Sequence, residues 1–300
     1  MRGPRIKPMG ELIPFSVNTR TAQKKLWLAD HDFRGELYEI IIFWAKVFYV
    51  DIHALIIMSN HWHGAFTMKR QTLDKADIRR RWELGHEQTP YGDPWREDEE
   101  QYYYDRLTNL SEFMKVVNER AAWKHNKMYG TAGHLWGGRF HSEVIEGEGS
   151  MLRVLKYIEL NATKAGMATD PTKYKYNTVS KIDEALRNDK PVEDVVIPAV
   201  GGLAEFHEDD RPLAYVIWIK IEAGMSPGDG HFQEGARTIV GTARAVDTSG
   251  IADGVTHLEI APGYWFILVH GQKANANIEA EHLGEKGGWK TATKEPHPPG

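Results

Sequence analysis

Two histidines stand one residue apart in "MSNHWHGAF" (Met58–Phe66), just after a Ser-Asn turn and inside an otherwise apolar run. Side chains alternate faces along a strand, so His61 and His63 point one way and Trp62 the other. Two neutral imidazoles on one face make half of a metal site, if a third ligand arrives from elsewhere. H-x-H is common, and the pair alone fits two histidines on the solvated face of a hairpin better. A second stretch, "MLRVLKYIELNATKAG", adds to the metal reading. Met151, Leu155, Ile158 and Ala162 form an apolar stripe at helical spacing, and about 100° per residue puts Tyr157 on the opposite side. Arg153, Asn161 and Lys164 share that polar side at three- and four-residue steps. A core aromatic would sit in the stripe; Tyr157 does not. A phenol has a free pKa near 10, so a nucleophilic tyrosine needs positive charge or a metal beside it.

The elements that must position these groups are legible. Residues 12–18 read as a strand. From Asp32, Leu37, Ile40, Ile41, Trp44 and Phe48 give a helix. Residues 50–58 and 61–68 read as two strands joined by Ser59-Asn60. Residues 69–106 are polar and Pro/Gly-punctuated, an insert with helix around Lys75–Leu84. Asn109 and Glu112 have capping-box spacing for a second helix that carries Leu110, Phe113, Met114, Val117 and Ala121 and ends at Gly130. "GTAGHLWGGRF" is a glycine-rich loop, 140–147 a short strand, and Ser150 is the expected cap of a third helix, 151–165, closed by Gly166. The order β-α-β-β-α-β-α predicts an α+β, ferredoxin-like antiparallel sheet with helices on one face for residues 1–178. Beyond this, 179–300 form a separate extension: "VSKIDEALRN" looks helical, "RPLAYVIWIKIEAGM" fits helix or buried strand, "GYWFILVHG" fits a strand, and a frayed tail is expected from about Asn275.

Composition sets the outer bounds. In 300 residues with 41% hydrophobic content there is material for a core, and the absence of cysteine excludes disulfides, thiolate metal sites and a cysteine nucleophile. No apolar leader is visible, and Lys46, Asp51 and His53 break the most membrane-like run, so a cytoplasmic protein without a membrane partner is expected. The net charge of −5 is unevenly spread. Residues 1–70 carry ten Lys/Arg against six Asp/Glu and 106–164 nine against six, whereas 71–105 carry five against ten. A phosphate-binding face can therefore exist on a globally acidic chain.

On these residues the chain resembles the single-tyrosine HUH endonucleases, and among them the REP-associated tyrosine transposases. "MSNHWHGAF", "LSEFMKVVNERAAWKHNKMYG", "GHLWGGRFHS" and "LKYIELNATKAGM" come in that family's order over about residues 10–178. The resemblance implies an HUH fold, with His61, His63 and Asn161 as ligands of Mg²⁺ or Mn²⁺ and Tyr157 as the nucleophile. It implies attack on single-stranded or hairpin DNA to give a 5′-phosphotyrosine and a free 3′-hydroxyl. Both imidazoles must be neutral to bind metal, so activity is expected to fall below about pH 6. Arg139 in "WGGRF" is the first candidate for a DNA contact; Trp136 could stack a base, and Arg20, Arg153 and Lys164 are further phosphate candidates. Where the family usually has "ELNPVRAG" this chain has "ELNATKAG". Alanine for proline predicts a straighter helix past Asn161, and lysine for arginine removes any bidentate phosphate contact. Some relatives exchange the tyrosine helix between protomers and others act as monomers, which leaves a homodimer open.

Two other functions compete with a metal-dependent single-strand DNA transposase. One is a domesticated hairpin-DNA binder without cleavage, which the intact His61, His63, Tyr157 and Asn161 set argues against. The other, a small-molecule metal hydrolase, needs a carboxylate beside the His pair. The nearest acid, Glu159, falls near the apolar stripe.

Overall fold

The structure, a computed structural model, describes residues 12–70, 74–88, 93–225, 236–242, 255–261 and 264–270. The described residues divide into two compact units: those up to 181 together with 191–196, and those of 182–190 together with those from 197 onward.

In the first unit a four-stranded sheet has the order β2-β3-β1-β4. Its strands are β1 (Leu12–Arg20), β2 (Val50–Ile57), β3 (His61–Lys69) and β4 (His141–Val144), and every pairing is antiparallel. Period-two alternation gives β1 and β3 one apolar face each: Ile13, Phe15 and Val17 are buried beside Trp62, Phe66 and Met68. β2 keeps the same face only through a register shift between Ile52 and Ala54. The extra residue, His53, is buried, with Nδ1 2.7 Å from the Val196 carbonyl oxygen and Nε2 2.7 Å from the Thr67 hydroxyl.

Two helices cover that face, α1 (His31–Val47) and α4 (Leu110–Tyr129). Asp30 caps α1 by accepting from the Phe33 amide at 2.9 Å, and Phe33, Leu37 and Ile41 are fully buried from it. Asn109 caps α4 through the Ser111 amide, and Gly130, at φ 61°, closes it in the left-handed conformation. Glu112 does not complete a capping box by this geometry; its carboxylate lies 2.9 Å from the Arg106 guanidinium.

The segment whose sequence reads as a polar insert is better built than expected. Its helices, α2 (Lys75–Gln88) and α3 (Glu100–Leu107), pack on each other, α2 also on α1 and α3 on α4. Ile78, Trp82, Tyr103 and Leu107 join the main core, and Trp95 stacks on Tyr103 at 4.5 Å. Many of its charges pair within the segment, as in Arg79 with Glu83 and Glu97 and Arg81 with Asp77.

The opposite sheet face is half covered, so the helices are not confined to one face as the sequence reading expects. Helix α5 (Glu148–Glu159) packs on β2 and β3, and a one-turn helix, α6 (Asn161–Lys164), follows it. The single helix expected over 151–165 is thus two pieces, divided at Leu160 (φ −88°, ψ 2°), so the expected straightening past Asn161 is not found. Its cap is Gly147 (φ 74°) rather than Ser150, which lies inside the first turn. Helix α7 (Thr178–Arg187) starts in the first unit.

The second unit contains α8 (Arg211–Glu222), with Pro212 in its first turn and Ala214 to Lys220 buried. This resolves the helix-or-strand ambiguity toward helix. The Arg211 guanidinium donates to the carbonyls of Leu203 and Phe206, both at 3.1 Å. Strands β5 (Ala236–Thr242), β6 (Val255–Ala261) and β7 (Tyr264–His270) form an antiparallel sheet in the order β5-β7-β6. The tail expected from about Asn275 lies outside the described residues. Among the described residues, no helix is long and apolar enough to cross a membrane.

Candidate functional site

His61 and His63 lie on the sheet face away from α1 and α4, while Trp62 between them is fully buried on the other side. Their rings are 5.0 Å apart, centroid to centroid, at 90°. Both are half-buried, and burial holds both below the ordinary histidine pKa. His63 is pushed down to about 4, with the charges of His61 and Arg20 adding to the effect. For His61 burial comes first and Arg20 second. Near neutral pH the two therefore stand as uncharged imidazoles, the form that ligates a cation.

Tyr157 reaches the same place from α5. Its helix buries Met151, Leu155 and Ile158, as the stripe requires, and leaves Tyr157 48% exposed. Its ring meets His63 edge-on, 5.3 Å between centroids at 88°. Lys164 Nζ lies 6.0 Å from the centre of the tyrosine ring. Asn161 opens α6, one turn beyond Tyr157 and past the break at Leu160, and is half-buried. Among the described residues no group of three or more His, Asp or Glu side chains could hold a metal ion. A cation here would rest on the two imidazoles, with an amide and ligands from outside the chain completing its shell. Such a neutral, nitrogen- and amide-oxygen donor set fits a divalent ion that also binds anionic phosphate oxygens.

Glu159, the one carboxylate near Tyr157 in sequence, turns away. It is fully buried and accepts from the Thr178 hydroxyl and, at 3.2 Å, from the Val179 amide at the start of α7. It caps a helix, and that leaves it no part as a base in this site.

The sheet register brings further residues to the open half of the face. Asn18 is the partner of His63 on β1 and of His141 on β4, and Arg20 is the partner of His61. Neither Asn18 nor the position of His141 beside it stands out in the sequence, because cross-strand neighbours depend on register rather than spacing. Arg20 and His141 are exposed there, as are Arg139 in the neighbouring loop, Arg153 and Lys164. Arg153 Nη2 donates to the Ser150 hydroxyl at 2.8 Å. Trp136 is less free: it packs against the core, and its indole N–H donates to the Asn118 carbonyl at 2.9 Å. Its part in the structure is to hold the glycine-rich loop to α4.

Asn60 reads from sequence only as a turn residue, yet its amide oxygen lies 2.7 Å from His61 Nδ1. An amide directly preceding the first histidine is the signal the sequence offers for it.

The sequence matches no protein-family profile. No curated protein matches it either. Among solved structures, the chain is similar to a REP-associated tyrosine transposase bound to a REP hairpin, at 15% identity and a TM-score of 0.41 over 64% of this chain and 90% of that one. What these residues can do rests on their own geometry.

Proposed function

We propose that the chain cuts and rejoins single-stranded DNA, hairpin-forming strands in particular, with Tyr157 as the nucleophile. The observation that carries this reading is the exposed Tyr157 ring set against His63 on the face that bears both uncharged imidazoles. The phenol oxygen adds to the scissile phosphorus, and its proton passes to solvent. The bond from phosphorus to the 3′ oxygen breaks; that oxygen takes up a proton and leaves as a 3′-hydroxyl. The phosphodiester is exchanged, not hydrolysed, so a 3′-hydroxyl can attack the 5′-phosphotyrosine in the reverse sense.

His61, His63 and Asn161 would hold Mg²⁺ or Mn²⁺. When bound, the ion would polarise a non-bridging phosphate oxygen and offset the charge that builds at phosphorus. Lys164 puts a cation beside the attacking ring, and the DNA strand would lie over Asn18, Arg20 and His141 on the uncovered half of the sheet.

The test is a denaturing gel after incubation with single-stranded hairpin DNA of mixed sequence and Mn²⁺. A covalent protein–DNA band that disappears with EDTA and in Tyr157→Phe is the expected result. Hairpin retention without a covalent band, across several metals and substrates, would refute cleavage and leave a hairpin-binding protein.

A further inference from the structure

Gln23 and Lys24, neither of them glycine, sit at φ 55° and 56°, in the left-handed region. That conformation costs energy and persists only where surrounding contacts impose it. Three backbone hydrogen bonds fix the residues that lead into it. Thr21 donates its amide to the Asn60 carbonyl at 2.9 Å, Ala22 donates to the Leu135 carbonyl at 2.9 Å, and Gly137 donates to the Arg20 carbonyl at 2.9 Å. A Cβ on Gly137 would stand 3.0 Å from the Thr21 carbonyl oxygen, so the loop backbone needs glycine to come this close. The left-handed turn is thus pinned between the glycine-rich loop and the β2–β3 hairpin.

What the turn presents is a carbonyl. Lys24 O lies 3.0 Å from the Asn60 side-chain nitrogen. A carbonyl only accepts, so the amide nitrogen must face it, and the amide oxygen must face the other way. There it lies 2.7 Å from His61 Nδ1. An amide oxygen also only accepts, so Nδ1 must carry the proton. The lone pair of a neutral His61 is then on Nε2, the nitrogen left free to take a metal.

We propose that Asn60 is a positioning residue: the Lys24 carbonyl sets its amide, and its amide sets His61 in the Nδ1–H tautomer with Nε2 open as a ligand. The site's readiness for metal is in this way tied to the loop that carries Arg139. This rests on the metal-site reading above, but its first test does not.

Nitrogen NMR of the metal-free full-length protein near neutral pH reads the tautomer directly. His61 as the Nδ1–H form in the wild type, with a shift toward a mixed population in Asn60→Ala, supports the proposal. His61 as the Nε2–H form in the wild type overturns it without recourse to any variant, and so does an unchanged His61 signal in a folded Asn60→Ala protein. Mn²⁺ titration supplies the second readout. Affinity should fall about 10- to 100-fold in Asn60→Ala, while Asn60→Asp, which keeps an acceptor for Nδ1–H, should recover part of it. A wild type with the Nδ1–H tautomer that binds no Mn²⁺ would refute the metal reading and leave the role of Asn60 standing.

Discussion

The Tyr157 ring stands edge-on against the His63 imidazole, 5.3 Å between centroids and 88° between planes. This contact joins a strand and a helix through two residues 94 positions apart (157 − 63), and it gives the nucleophile prediction a clean form. Phenylalanine keeps the ring and its packing on His63 and removes only the oxygen. Tyr157→Phe should fold with wild-type stability, bind hairpin DNA, and lose covalent adduct by about 10⁴-fold or more, as expected when a nucleophile is deleted. Parallel denaturation and gel assays check the two halves. A Phe variant that still forms adduct would move the nucleophile elsewhere.

Acid should act on the histidines later than an ordinary imidazole pKa suggests. Unfolded His61 and His63 take protons near 6.5, whereas burial holds both lower in the fold, His63 to about 4. Buried His53 is lowered as well. Between about 4 and 6.5 the unfolded chain binds more protons, so stability falls as pH falls through that window. Metal affinity should be lost at lower pH than free imidazoles would give, since burial lowers both histidines and His63 takes its proton only toward about 4. The loss of activity below about pH 6 expected from free imidazoles thus moves to lower pH. Mn²⁺ titration and denaturation at a series of pH values test both statements. A loss of Mn²⁺ affinity centred at 6.5 would show that the histidines are solvated rather than buried.

Spacing exposes the histidine pair, the tyrosine and the strand–helix order because these depend on local periodicity. His61 and His63 share a face by alternation, and Tyr157 is placed by its angle to Leu155. Three features lie outside that kind of signal. The break at Leu160 changes how Asn161 follows Tyr157, yet nothing in "YIELNATK" marks it. The insert looks polar because it is rich in charge, several of its acids pairing with nearby arginines, while Trp82 and Tyr103 reach the core across the fold. The link from Lys24 through Asn60 to His61 spans a left-handed turn and 36 residues of chain. Register and long-range backbone contacts decide such features, and a single sequence does not display either.

Glu159 gives a test that separates structure from chemistry. Its buried carboxylate accepts from Thr178 and Val179 at the start of α7. Glu159→Ala leaves those donors buried without an acceptor and should cost about 2–3 kcal/mol of stability. Glu159→Gln keeps one acceptor and should cost less. Chemical denaturation gives both numbers. If Glu159 were instead a catalytic base, Gln would abolish adduct formation while leaving stability unchanged, and the capping role would be refuted.

Arg20, Arg139 and Lys164 are exposed cations around the proposed strand path, whereas Trp136 is held by Asn118. The two kinds of residue should fail differently. Each cation-to-alanine variant should weaken hairpin binding for every sequence alike and flatten the salt dependence. On single strands the slope of log affinity against log salt should change by about 0.7 for every phosphate no longer neutralised. Trp136→Phe keeps much of the packing but leaves the Asn118 carbonyl without its indole donor. It should cost about 1 kcal/mol of stability and leave the salt slope unchanged, because no charge is removed. Binding measured over a salt series, beside a denaturation curve for each variant, distinguishes them. A flattened slope for Trp136→Phe, or an unchanged one for all three cations, would place the DNA elsewhere on the molecule.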